Sequence, residues 1–312
     1  MRQTLCFTFA GIRKVFSMQP YPSIQIGCIY HFYEASMEHL ENFKYFLKYG
    51  IQEDVYYVVL LASNTNLKLP KLNNVEFHQI ANEYRDIGGY IKGHKIISKV
   101  AEWDFLFFMN SGVLGPLPNE KLVLGDRKWT THFTNLIDGD VKVAGVTINT
   151  LPRPIPWSAH LEKQIRNSTY SKYMSKNLLA HVQSFFICLG MESRHLLEDM
   201  GFFEQELLDD QSFLIANFEI ALSQIILSGN DNWTIACSLS GYSDLNFKTL
   251  RHNPNTSSPS GDPYLRGAYF GKTIDPIEAM FFKTTRGLLS SQELKALRNR
   301  AHPEKINHLD LN

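Results

Sequence analysis

The chain is poor in the features that most quickly place a protein. It has four cysteines in 312 residues, Cys6, Cys28, Cys188 and Cys237, and no Cys-x-x-Cys pair. That leaves no zinc or thiol–disulfide spacing and fits a reducing, cytoplasmic setting, free or at the periphery of a membrane. Net charge is missing too: Lys+Arg and Asp+Glu both number 31. No broad basic field exists to hold nucleic acid. Long apolar runs are also lacking. The stretch 5–12 is too short to span a bilayer and runs straight into Arg13 and Lys14, so no transmembrane segment is expected. Residues 1–22 read as a poorly ordered extension, with Met18 as a candidate internal start. Glycine signatures are absent as well. After the first apolar run the chain reads Tyr30-His31-Phe32-Tyr33-Glu34, not Gly-x-Gly-x-x-Gly, and neither a P-loop nor a Gly-x-Ser-x-Gly elbow occurs. This argues against a dehydrogenase, a nucleotide triphosphatase and an α/β hydrolase.

What is present is a 44% hydrophobic chain, ample for a large core. Residues 103–116 are the most telling: a Phe-rich run stops at Asn110-Ser111 and turns through Gly112-Val113-Leu114-Gly115-Pro116. A short apolar run bounded by Gly and Pro predicts a strand buried on both faces. Further strands are expected over 24–33, 55–61, 75–80, 141–149, 182–189 and 234–239. Helical spacing covers 37–49, closed by Gly50, then 90–101, opened by a Gly88-Gly89 turn, and 213–227. Residues 150–175 read as a polar insertion with a short helix, 253–262 as a mobile loop. This alternation predicts an α/β fold, a Rossmann-type mixed, mostly parallel sheet flanked by helices. One domain over 23–290 is expected, followed by a helical tail over 291–312.

Open α/β sheets bind ligands at the carboxyl ends of their strands. Asn110 and Ser111 stand at such an end. Tyr30 and Tyr33, at the end of the first strand, either pack in the core or stack on a base or sugar. Arg85-Asp86 precedes two glycines: Arg85 suits a phosphate, Asp86 a ribose hydroxyl or a helix cap, and Gly88 a close backbone approach. His181 and Gln183 open a strand, where the imidazole suits a phosphate oxygen or a metal and the amide a sugar hydroxyl. Glu219 lies among apolar residues on a helix and is either half-exposed or a general base in an apolar cleft.

Taken in order, several segments resemble a group of GT-A-fold glycosyltransferases with members in large algal DNA viruses, bacteria and plants. They are Arg85-Asp86-x-Gly88, Asn110-Ser111-x-Val113-x-Gly115-Pro116, Trp129-Thr130 with Phe133, Thr147-Ile148-Asn149, His181-Val182-Gln183-Ser184, Glu219-Ile220-Ala221-Leu222-Ser223, and Glu278 to Lys283 with Arg286. The resemblance spans 24–286. It implies a GT-A-like fold and transfer of a hexose or deoxyhexose from a nucleotide sugar to a glycan or other hydroxyl acceptor, as in polysaccharide biosynthesis. It also implies a nucleotide pocket of Tyr30, Tyr33 and Asp86, with Asn110, Ser111 and Gly112 beside the diphosphate. Asn149, His181 and Gln183 would line the donor or acceptor side, and Lys283 and Arg85 would offset the leaving diphosphate. Glu219 is the implied base if the reaction inverts, and a residue that orients the sugar if it retains. Most GT-A enzymes carry Asp-x-Asp; here Asn110-Ser111-Gly112 takes its place, and Leu114 stands where an Arg is common. A divalent cation, Mn²⁺ or Mg²⁺, would then be held by fewer groups (Asn110 and His181 are the candidates) or be replaced by cationic side chains. The alternative is a non-catalytic carbohydrate-binding or scaffold protein of the same fold.

Overall fold

The computed structural model describes residues 24–118, 128–254 and 258–300. The expected extension over 1–22, with Cys6 and Met18, lies outside the described residues, as does the tail beyond residue 300. The order runs β1 (Ile26–Phe32), α1 (Met37–Tyr49), β2 (Val55–Leu61), β3 (Val75–Gln79), α2 (Arg85–Ile97), β4 (Phe105–Asn110) and the short β5 (Val113–Leu114). It continues with β6 (Val141–Gly145), β7 (Ile148–Pro152), β8 (Leu178–Val182), β9 (Phe186–Gly190), β10 (Thr234–Cys237) and β11 (Phe282–Lys283). Seven strands form one sheet in the order β10-β6-β9-β4-β1-β2-β3, parallel except for β9. The mixed, mostly parallel α/β sheet is therefore as the sequence predicts. β1 is buried at every position, as a strand covered on both faces should be.

Three expectations are corrected. Gly88-Gly89 is no turn; both residues lie inside α2. A Cβ on Gly89 would stand 2.3 Å from His31 Cδ2, and one on Gly93 2.4 Å from Ile29 Cγ2. The glycines let α2 close onto β1, and that packing outweighs their poor helix propensity. The expected strand 141–149 is two strands, because β7 leaves the main sheet to pair antiparallel with β8, Asn149 opposite His181. The expected strand 182–189 likewise divides: β8 ends at Val182, a turn follows, and β9 begins at Phe186.

The antiparallel course of β9 positions the site. Its first residue, Phe186, pairs with Met109 near the end of β4, and the Asn110 amide donates to the Phe185 carbonyl at 3.3 Å. The turn before β9 thus meets the carboxyl end of β4. The third helix of the site, Gln211–Gly229, is longer than its expected span and carries a π-helical stretch, Ile215–Ile220. By length and mean hydropathy, 1.4, it could cross a membrane, a property the run-length reading overlooked; 67% of its most apolar window lies inside the fold. The described part of the tail, Ser291–Arg298, opens on a Ser290–Glu293 capping box and returns Arg298 to α1, where it pairs with Glu38 and donates to Asn42 Oδ1 at 2.9 Å.

The entry to α2 is a tight backbone contact near the site. Tyr84 and Arg85 have φ of 57° and 58°, and a Cβ on Gly88 would stand 2.1 Å from the Glu83 carbonyl oxygen. Gly88→Ala is expected to lower unfolding stability by about 1–3 kcal/mol in urea titration, since backbone rather than a side-chain tip must yield.

Candidate active site

Two groups of side chains form at the carboxyl end of the sheet. The first surrounds the end of β4. Asn110 Nδ2 donates to Asp86 Oδ2 at 2.9 Å, and Asn110 Oδ1 accepts from the Gly112 amide at 2.9 Å. Asp86 Oδ1 accepts from the Ile87 amide at 3.2 Å and so also serves the start of α2. Arg85 is exposed beside it. The second group faces it across the turn before β9. Ser184 Oγ donates to Glu219 Oε2 at 3.1 Å, and His181 Nε2 stands 3.9 Å from Glu219 Oε1. Tyr90 of α2 ties the turn down, its hydroxyl donating to the Ser184 carbonyl at 2.9 Å.

Two expected ligand contacts are corrected. Tyr30 lies in the core, 1% exposed, stacked on Phe46 with ring centroids 4.5 Å apart. It is no part of a nucleotide pocket. Ser111 is 2% exposed, and its hydroxyl accepts from the Tyr33 amide at 3.2 Å and donates to the Tyr33 carbonyl at 3.0 Å. Its own carbonyl accepts from Asn42 Nδ2 at 3.0 Å. The hydroxyl staples the loop after β1 to the end of β4 instead of facing a ligand. Tyr33 itself is 40% exposed, held in place by that staple. Gly112 is a junction: its carbonyl accepts from the Thr284 amide at 3.0 Å, and a Cβ there would approach Asn110 Oδ1 to 3.0 Å.

His181 is buried, and Nδ1 must donate to the Leu179 carbonyl, 2.9 Å away, because a carbonyl only accepts. Burial lowers its pKa, which favours the neutral ring, whose Nε2 lone pair then faces Glu219. Opposite it, Asn149 Oδ1 is buried without a hydrogen-bond partner. Gln183 accepts from Thr147 Oγ1 at 2.6 Å and donates to Asp262 Oδ1 at 3.4 Å.

Lys283 joins the two groups. It pairs with Val113 in the β5–β11 ribbon, and its ammonium stands 4.8 Å from the centre of the Phe185 ring, with no carboxylate among the described residues in ion-pair contact. Burial depresses its pKa; Arg286 depresses it further, while Glu219, Asp262 and Asp86 oppose the shift. The ammonium is therefore within electrostatic reach of both groups. Sequence reasoning missed Asp262. It is 6% exposed, accepts from the Tyr264 amide at 2.9 Å and holds Arg286 Nη2 at 2.7 Å. A lone Asp before Pro263 in a Ser- and Gly-rich loop carries no pattern to mark it.

Among the described residues no three His, Cys, Asp or Glu side chains stand together as a cation site. Asn110 Oδ1 is already committed to a backbone amide, and the carboxylate beside His181 Nε2 is that of Glu219, 3.9 Å away. This donor set does not fit a hard divalent cation held by the protein.

No family model and no curated protein matches the chain. Its structural neighbours are glycosyltransferases. The mannosyltransferase PcManGT of Pyrobaculum calidifontis, in complex with GDP-Man and Mn²⁺, overlaps at 12% identity and a TM-score of 0.34, over 72% of this chain and 58% of that one. The galactosyltransferase LgtC, in complex with donor and acceptor sugar analogs, overlaps at 12% identity and 0.37, over 89% and 98%. A glycosyltransferase involved in glycosylation of the major capsid of PBCV-1 overlaps at 11% identity and 0.31, over 68% and 81%. The chain thus spans little more than half the length of PcManGT. Likeness at this level does not decide the activity, which has to rest on the site.

Two outcomes are expected. Ser111→Ala strands both Tyr33 backbone groups and should cost about 1–3 kcal/mol in denaturant unfolding. His31, at the end of β1, is buried with Nε2 unpartnered. Burial lowers its pKa to about 4, with Lys92 assisting and Asp86 opposing. The unfolded chain then binds the proton more tightly, so stability is full above about pH 6.5 and falls as pH drops toward 4. His31→Asn should flatten that part of the pH–stability curve.

Proposed function

We propose that the protein is a glycosyltransferase of GT-A type, moving a sugar from a nucleotide sugar to a hydroxyl of a glycan acceptor. The observation that carries this reading is the Lys283 ammonium, which has no ion pair among the described residues, stands 4.8 Å from the centre of the Phe185 ring and feels the charges of Asp86, Glu219 and Asp262. A cation kept free of contact pairing suits a site where negative charge develops on a leaving group. Residues 23–290 would form the transferase domain, with 291–312 as its tail, and the Asn110-to-Pro116 motif would place the chain in the group named above.

In this reading Asp86 and the exposed Tyr33 hold the nucleoside, with Arg85 near the phosphates. The acceptor oxygen attacks the anomeric carbon and the bond to the diphosphate oxygen breaks, its electron pair leaving with the nucleoside diphosphate. Lys283 stabilises that charge, and Arg286, aimed by Asp262, supports it. The acceptor proton passes to Glu219, whose carboxylate is oriented by the Ser184 hydroxyl, with neutral His181 beside it. Asn149 and Gln183 line the same side. This is the inverting arrangement, with one base and one stabilised leaving group.

The test is release of nucleoside diphosphate from a panel of UDP- and GDP-sugars, with and without Mn²⁺ and an acceptor. Glu219→Gln is expected to cut transfer about 10²–10⁴-fold while leaving donor binding intact by calorimetry. Lys283→Met should lower kcat about 10²–10³-fold. Absence of binding and turnover with every nucleotide sugar would leave the carbohydrate-binding scaffold as the function.

A further inference from the structure

A small apolar pocket opens beside Glu219. Its walls are chiefly Ile87 and Ile91 of α2, Phe108 of β4, Ile187 of β9, Phe203, and Leu222 of the long helix. Ser184 and Glu219 also line it. The free volume, about 20 Å³, admits one water- or methyl-sized group. An apolar cavity of that size gives a water too few polar partners. Ser184 Oγ is already committed to Glu219, and the Tyr90 hydroxyl to the Ser184 carbonyl.

The π-helical stretch is what brings these features together. π-turns are rare and concentrate at functional sites. Here one puts Glu219 on the boundary, with its carboxylate at the polar group and its neighbours Phe218 and Leu222 on the pocket. In an in-line displacement the base stands on the acceptor's face of the anomeric carbon, opposite the leaving group. A pocket that shares a wall with the base therefore belongs to the acceptor.

From this we infer that the acceptor is a sugar carrying a methyl group next to its reacting hydroxyl, and that this pocket selects it. The inference rests on the glycosyltransferase reading above. A hydroxymethyl group in the same place would set its hydroxyl against chiefly apolar walls and divert the Glu219 carboxylate from its role as base. A single group of this size in an apolar pocket discriminates by about 10-fold to 100-fold.

The experiment compares acceptors that differ only in CH₃ against CH₂OH: p-nitrophenyl β-D-fucoside with β-D-galactoside, and α-L-rhamnoside with α-L-mannoside. Transfer is read as kcat/KM with the donor that turns over, and binding by saturation-transfer NMR on protein loaded with UDP or GDP. The expected result is a preference of about 10-fold or more for a methyl-bearing member, with its methyl protons the most strongly saturated. Leu222→Phe, which fills the pocket, should bring the ratio toward one. Ile91→Phe does the same from the opposite wall if Leu222→Phe fails to fold. Equal use of both members, or a preference unmoved by the filling variant, overturns the inference. So does nucleotide binding with neither transfer to nor saturation of any of the four glycosides. Failure to bind any nucleotide or nucleotide sugar is a different result, and sinks the glycosyltransferase reading instead.

Discussion

A half-buried ammonium group with no ion-pair partner among the described residues is the constraint around which the site is organised. Lys283 loses hydration on burial and recovers only longer-range attraction from Asp86, Glu219 and Asp262. Among the described residues no side-chain hydrogen bond or ion pair holds its head, so the backbone has to place it. The β5–β11 ribbon does this, pairing Lys283 with Val113 and Phe282 with Leu114. Thr284 then bonds the Gly112 carbonyl and accepts from Asn42 Nδ2 at 2.9 Å, which ties the ribbon to α1. A residue late in the chain is thereby placed directly after the end of β4.

The irregular pieces of the fold all serve that meeting point. Two consecutive left-handed residues start α2, and its glycines let it press on β1. The reversed strand β9 brings its leading turn to the end of β4, where an ordinary parallel strand would have delivered only its own carboxyl end. The π-stretch turns Glu219 toward Ser184 and His181. Each costs something locally, in strain, entropy or hydrogen-bond geometry, and each is retained where polar groups must converge beside a packed core.

The polar motif at the end of β4 shows how far a linear reading reaches. Asn110 and Ser111 are adjacent and chemically alike as candidates, yet one faces Asp86 in the site and the other is a buried staple. Successive residues of a strand point to opposite faces, so adjacency cannot say which of two polar neighbours meets a ligand. Tyr30 fails as a nucleotide contact for the same reason, since its side of β1 lies under α1, against Phe43 and Phe46. Asp262 and the apolar pocket were invisible because their neighbours come from distant segments, and no spacing records that.

By itself the amino-acid order determined the alternation of buried strands and amphipathic helices, and with it a mixed α/β sheet whose strand ends carry polar residues. Those properties are local: periodicity, β-branching and the Gly and Pro stops act within a few residues. Only the tertiary structure decided that β7 and β8 pair apart from the main sheet, that the glycines of α2 are contacts and not a turn, and that Lys283 comes within electrostatic reach of Glu219 and Asp262. These outcomes depend on which faces pack together over separations of a hundred residues or more, and long-range packing overrides local preference wherever the two conflict.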